Sequence, residues 1–180
     1  MKDFIIYINE KLKITKDTSK QNQYSYYPKT TNELKELIKK LIEERGNEAD
    51  LNDIDASKIT NMSELFKESN FNGDISKWDV SKVKDMSLMF YKCEFNGDLS
   101  RWNVGEVEKM NGMFEDSKFT GENGDISNWD VRKVENMNWM FYYSKFNSDI
   151  SNWDVSNVTK KACMFYDCEI PKNYKPKFNK

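Results

Sequence analysis

Four segments of this chain spell nearly the same phrase. DISKWDVSKVKDMSLMF begins at Asp74, DLSRWNVGEVEKMNGMF at Asp98, DISNWDVRKVENMNWMF at Asp125 and DISNWDVSNVTKKACMF at Asp149. Trp78, Trp102, Trp129 and Trp153 follow one another at intervals of 24, 27 and 24 residues, the longer one holding a three-residue insertion around Thr120–Asn123. A weaker first copy begins at Asp50, with Ile54 in place of tryptophan. Self-similarity at a fixed period of this length predicts structural units that bury their apolar faces only by stacking on one another.

The template reads Ile75-x-x-Trp78-x-Val80-x-x-Val83-x-x-Met86-x-x-Met89-Phe90-x-x-Cys93-x-Phe95. Trp78 and Val80 alternate, which predicts a short strand. Val83, Met86, Met89 and Phe90 are spaced by threes and fours, which predicts one or two helical turns. Asn72-Gly73 and Asn96-Gly97 are turn dipeptides leading into the next copy. Ahead of the repeats, Phe4–Ile8 reads as a strand. A helix then follows, capped by Thr31 or Asn32, striped by Leu34, Leu37, Ile38, Leu41 and Ile42, and stopped by Gly46.

The apolar-x-x-apolar-x-apolar spacing resembles that of leucine-rich repeats. The phrase W-D-V-S-x-V-x-x-M-x-x-M-F-x-x-C-x-F, carried by residues 50 to about 170, is similar to the BspA-like repeats of bacterial surface proteins and of mycoplasma lipoprotein-associated domains. The helix at 31–46 followed by A-D-L-N-D-I-D resembles the cap that precedes such repeats. The fold expected is an α/β repeat solenoid, leucine-rich-repeat-like, with stacked short parallel strands on one face and short helical turns on the other. Residues 1–49 form its strand and helix cap, 50–170 its five coils, and 171–180 a tail. Lys161 replaces the methionine of the last copy, so Pro171 and the basic tail are expected to close the stack. The resemblance implies adhesion or host-protein binding at a cell surface.

Composition narrows the function. The chain carries 32 % charged residues yet 14 % aromatic ones, too many rings for a disordered segment. A net charge of −2 gives no reason to expect nucleic acid or an anionic membrane. There is no histidine, hence no imidazole base, metal ligand or physiological pH switch. No phosphate-cradling loop, nucleophile–base pair or zinc spacing is present, so no enzyme and no cofactor is expected. The apolar run near Met1 is too short for a signal-peptide core, and nothing reaches the length of a membrane span. As written the chain is expected in the cytoplasm, whereas the family resemblance implies the surface. Cys93 and Cys168 share a repeat position three coils apart, ~14 Å at the spacing of stacked chains, so free thiols are expected. Cys163 and Cys168, within one coil, are the pair that could approach.

Two columns of acidic residues recur: Asp50, Asp74, Asp98, Asp125 and Asp149, then Asp79, Asn103, Asp130 and Asp154. Asp74, Asp98, Asp125 and Asp149 are candidates for a calcium ladder. Acceptance of backbone N–H groups at turns is the favoured alternative, since Asn103 supplies an acceptor and no charge. The tryptophans are expected in the core, with carbohydrate stacking as the rival use. Binding is expected where the copies differ. On the strand side these positions include Lys77 and Arg101. On the helical side they form two aligned sets: Glu64, Leu88, Gly112, Trp139, Cys163, and Lys67, Tyr91, Glu115, Tyr142, Tyr166. Tyr91, Trp139, Tyr142, Tyr143 and Tyr166 make an aromatic patch with the composition of an interface hot spot. The alternative packs these rings against a tail carrying Tyr174 and Phe178.

The function expected is a non-catalytic protein-binding module with an unidentified protein partner. An intracellular interaction scaffold and a calcium-stabilised or carbohydrate-binding module are the alternatives. The assembly state expected is a monomer, with end-to-end association through the last coil as its route to larger species.

Overall fold

A computed structural model describes residues 24–178; the strand expected at Phe4–Ile8 lies outside them. Helix α1 spans Thr31–Arg45. Its N-cap is Thr30, whose hydroxyl accepts the Glu33 N–H at 3.2 Å, while the Glu33 carboxylate reaches back to the Lys29 N–H at 2.7 Å. Gly46, at φ 87°, ends it and returns its own N–H to the Ile42 carbonyl. Leu34, Leu37, Ile38 and Leu41 bury the inner face. Arg45 ties the helix end to the first copy through paired 3.0 Å bonds to Asp53.

The expected α/β solenoid of parallel strands and helical turns is not what forms. Among the described residues there is one α-helix, a 3-10 turn at Lys172–Tyr174, and no strand or sheet. What joins the copies instead is a set of isolated parallel bridges, chiefly the series Asn61, Asp85, Lys109, Asn136 and Lys160.

Two physical causes explain the difference. Where a strand was expected, the chain bends: Trp78 N–H returns to the Ile75 carbonyl at 3.2 Å and Val83 N–H to Val80 at 2.9 Å. Each bend is nucleated by a carboxylate or amide that accepts an N–H two residues on, as Asp74 does from Ser76 and Asp79 from Ser81. Where a helix was expected, two positions of every copy have left-handed backbone. Glu64, Leu88, Gly112, Trp139 and Cys163 lie at φ 52–61°, and Glu68, Lys92, Asp116, Tyr143 and Asp167 at φ 50–56°. A right-handed helix cannot pass through such residues.

Between and around them, N–H groups alternate in direction. Met86, Leu88, Phe90 and Lys92 donate forward to Lys109, Asn111, Met113 and Glu115 of the next copy, all at 2.9 Å. Met89, Tyr91 and Cys93 donate back three residues, closing tight turns. The pattern recurs in the neighbouring copies, so a row of backbone bonds about 24 residues apart holds the stack while every other residue stays in a turn.

The apolar columns meet inside. Phe66, Phe90, Phe114, Phe141 and Phe165 stack ring on ring at 5.5–5.8 Å. Phe71, Phe95, Phe119 and Phe146 form a second ladder at 6.0–6.4 Å, packed against the first at 4.3–4.6 Å. The four repeat tryptophans are buried to 3–4 % exposure. Each indole N–H donates to a carbonyl of the preceding copy: Trp78 to Leu51, Trp102 to Ile75, Trp129 to Leu99 and Trp153 to Ile126, at 2.9–3.2 Å. A tryptophan here is core and cross-link together.

Candidate aromatic groove

The surface that distinguishes one copy from the next is built on the turn-rich side, at the two left-handed positions and the residue just before the second of them. There the backbone bonds are indifferent to side chain, so neighbouring copies carry Leu88, Gly112 and Trp139 in one column, and Tyr91, Glu115 and Tyr142 in another. The middle copy is the small one. An open groove of about 620 Å³ runs over it, bounded by Leu88 and Tyr91 on one side and by Trp139 and Tyr142 on the other. Gly112 and Glu115 line its middle, and Lys67 and Glu68 close one end. The rungs are tightly joined beneath, with Gly112 N–H on the Asn138 carbonyl and Asp116 N–H on the Tyr142 carbonyl, both at 2.8 Å.

The tyrosines continue the surface toward the last copy. Tyr142 stacks on Tyr166 at 5.3 Å and meets Tyr143 edge-on at 4.5 Å, and Tyr143 meets Tyr166 at 5.7 Å. Trp139, Tyr143 and Tyr166 are 44 %, 45 % and 56 % exposed, among the most exposed large apolar side chains of the described residues. Tyr91 and Tyr142 are half-buried. The tail takes another route: Phe178 lies beneath Lys161 at 4.4 Å and Lys175 sits over Phe165 at 5.0 Å. The patch is therefore open.

Charges along the groove are uneven. Lys67 and Lys92 both lie over the Tyr91 ring, at 5.9 and 5.2 Å, and Lys67 also pairs with Glu64 at 3.7 Å. Hydrogen bonding to Tyr91 raises the Lys92 ammonium above its usual value. Burial, then the neighbouring Asp116, pushes the Glu115 carboxyl up, with Lys92 pulling the other way. Tyr142 raises the Tyr143 phenol.

The other candidates lie apart from this groove. Lys77 and Arg101 are exposed and do not line it. In the first acidic column Asp74, Asp98, Asp125 and Asp149 each accept the N–H of the serine two residues on, at 2.8–2.9 Å. Among the described residues no group of three or more His, Cys, Asp and Glu is placed to hold a metal ion. Cys93, Cys163 and Cys168 are free thiols. Cys93 donates to the Phe71 carbonyl at 3.5 Å, and burial pushes it up to about 11, a core position and not a nucleophile. No helix of the described residues is long and apolar enough to cross a membrane. The sequence aligns Leu88, Gly112 and Glu115 but does not single them out. The available signal was the glycine itself, a missing side chain between Leu88 and Trp139 one copy to either side.

The fold and the groove define a repeat protein whose copies share a core and differ along one aromatic, mixed-charge surface. The chain belongs to the bacterial family described as Mycoplasma protein of unknown function, DUF285, whose model matches residues 32–141 and 117–179. Comparison with curated proteins and with solved structures found no match.

Proposed function

We propose that this chain is a non-catalytic protein-binding module, and that Trp139, Tyr142, Tyr143 and Tyr166 are the centre of its binding surface. The observation that carries this reading is the mutual stacking of three tyrosines with a 44 % exposed tryptophan nearby, on neighbouring copies. Rings pre-packed against one another bury large area on binding at little cost in rotamer freedom. The wording of the repeats, similar to BspA-like surface proteins, supports adhesion or host-protein contact as the setting. An intracellular interaction scaffold uses the same surface with a different partner.

The test is a pull-down from host-cell membrane extract beside one from bacterial lysate. Wild type is compared with a Trp139→Ala/Tyr142→Ala/Tyr143→Ala variant shown by circular dichroism to be folded. A partner held by wild type and lost by the variant supports the reading, and the source that yields it decides the setting. Equal capture by both proteins removes the aromatic patch as the site.

Self-association is a second reading with its own observation. In the last copy the N–H groups of Cys163, Phe165 and Asp167, which in earlier copies donate forward, find no acceptor among the described residues. In the first copy the Ser63, Leu65 and Lys67 carbonyls receive no donor among them. Residues 24–73 hold ten acidic and seven basic side chains, whereas residues 159–178 hold five lysines against Asp167 and Glu169. Head-to-tail contact between copies matches donors to acceptors and acid to base. Sedimentation velocity at rising concentration tests it: species growing beyond a dimer, and dissolving in high salt, support the contact, and a single monomer at every concentration dismisses it.

A further inference from the structure

The two tyrosine-bearing sides of the groove differ in one respect. At Tyr91 the ring is served by this chain's own cations: Lys67, one copy earlier in the same column, and Lys92, the next residue. At Tyr142 the equivalent positions are Glu115 and Tyr143. A carboxylate stands where the first site has a lysine, and a second ring stands where it has another. Among the described residues no cation lies over Trp139 or Tyr142, and the Glu115 carboxylate makes no hydrogen bond or ion pair. The two halves are thus the same construction, with the cation present in one and missing from the other.

We propose that the groove over Gly112 takes an arginine side chain from an extended segment of a protein partner, its guanidinium paired with Glu115 and stacked on Trp139 or Tyr142. This rests on the protein-binding reading above and gives its partner a chemistry. Charge selects a cation: Glu115 lines the middle of the groove and Glu68 its end, while Lys67 is engaged by Glu64 and Tyr91. Lys92, near enough to act on Glu115, lies over Tyr91 and makes no ion pair with that carboxylate. Shape selects guanidinium over ammonium, because a planar fork can meet a carboxylate edge-on and an aromatic face flat-on. Length selects an extended segment. The groove crosses from the Lys67 copy to the Trp139 copy, three rungs of about 4.8 Å, which is about four extended residues. Partial burial of Glu115 strengthens the attraction, since a carboxylate short of water gains more from a charged donor.

The probe is acetyl-Ala-Arg-Ala-Ala-amide, with versions carrying lysine or the neutral isostere citrulline in place of arginine. The readout is the set of indole N–H signals of nitrogen-labelled protein. Four of these belong to buried tryptophans that donate to carbonyls and report the fold, and the fifth belongs to Trp139. The arginine peptide is expected to move the Trp139 signal alone, and to bind about tenfold more tightly than the citrulline version, the value of one charge-assisted bond. The lysine version is expected to fall between them. Glu115→Gln should abolish the arginine advantage while leaving the four buried signals in place. Equal binding of arginine and citrulline, of arginine and lysine, or of wild type and Glu115→Gln overturns the proposal, as does a Trp139 signal that no peptide moves. A protein partner that Glu115→Gln still captures, and the triple aromatic variant does not, would sink this inference and leave the protein-binding reading standing.

Discussion

Glu68 offers a direct test of how the repeats turn. It is exposed, its φ is 56°, and its N–H donates to the Tyr91 carbonyl at 2.7 Å. A side chain in left-handed backbone costs about 1–2 kcal/mol, which glycine does not incur. Glycine also has more freedom to lose from the unfolded chain, about 0.4–1 kcal/mol. The difference predicts that Glu68→Gly is more stable than Glu68→Ala by roughly 0.5–1 kcal/mol. For a chain of this size that is a rise of about 1–4 °C in Tm. Alanine is the proper reference because both variants lose the same charge, so any effect on Lys92 cancels. Were this segment helical, the sign would reverse, since glycine in an exposed helix costs about 1 kcal/mol against alanine. Glu68→Pro fixes the control at the other extreme: it cannot reach φ 56° and it removes the N–H to Tyr91, so a loss of about 3 kcal/mol or more is expected. Urea unfolding of the three variants, with m-values compared to confirm a common unfolded state, reads all of this. Glu68→Gly falling below Glu68→Ala would refute the left-handed turn.

Further outcomes follow from the packing and the charges. Phe114 touches Phe90, Phe119, Trp129 and Phe141, so Phe114→Ala should cost about 3–5 kcal/mol in urea unfolding; a loss under about 1 kcal/mol would contradict a closed ring ladder. Gly73 has no room for a β-carbon, which would run into the Ala49 carbonyl oxygen, so Gly73→Ala should lower Tm markedly while Gly46→Ala, with nothing near, perturbs only its own backbone. Acrylamide should quench one tryptophan strongly and four weakly, and Trp139→Phe should remove the strong component. Hydrogen bonds from Arg132 hold the exposed Asp130 carboxyl at about 2, and Ser81 and Ser156 hold Asp79 and Asp154 below their usual value. Carboxyls lower in the folded state stabilise it above the unfolded value near 4 and lose that contribution as pH falls toward 2, so Tm should be level at neutral pH and decline across that window. Glu115, raised by burial, acts in the opposite sense but alone among the carboxyls of the described residues, and each exposed pair contributes little, so the decline should be gradual. A Tm that rises on acidification would contradict it.

Much of the core was legible in the sequence because the columns are strict. Trp78, Val80, Val83, Met86, Met89, Phe90, Cys93 and Phe95 were read as one apolar lattice, and all are buried. Conformation was not legible, because the same spacing serves two geometries. Apolar residues at intervals of three and four arise on a helix, and they arise equally in a chain that turns every third residue. Leu88 and Trp139 carry no mark of positive φ, a region where glycine or asparagine is the usual signal. The aspartate columns do read as acceptors of backbone N–H groups at turns, but alternation at Trp78 and Val80 reads as a strand where the chain bends at each aspartate. The exposed rings were legible by comparing copies. The groove was not, since it depends on Leu88, Gly112 and Trp139 being consecutive in space and 24 to 27 residues apart in sequence.

The separation of stack from surface explains why such a chain can vary one face from copy to copy. Forward bonds between copies run from backbone to backbone, and the Phe and Trp ladders lie inside, so neither asks for a particular side chain at the left-handed positions. Those positions hold Glu64, Leu88, Gly112, Trp139 and Cys163 in five successive copies. Each non-glycine residue there costs about 1–2 kcal/mol, a penalty no single choice among them escapes and that therefore selects none of them. Glycine would relieve it at every copy, yet it occurs once, where it opens the groove. Retaining side chains at four of the five positions in this column runs against stability. On the protein-binding reading proposed above, the gain that offsets it is what those side chains would present to a partner.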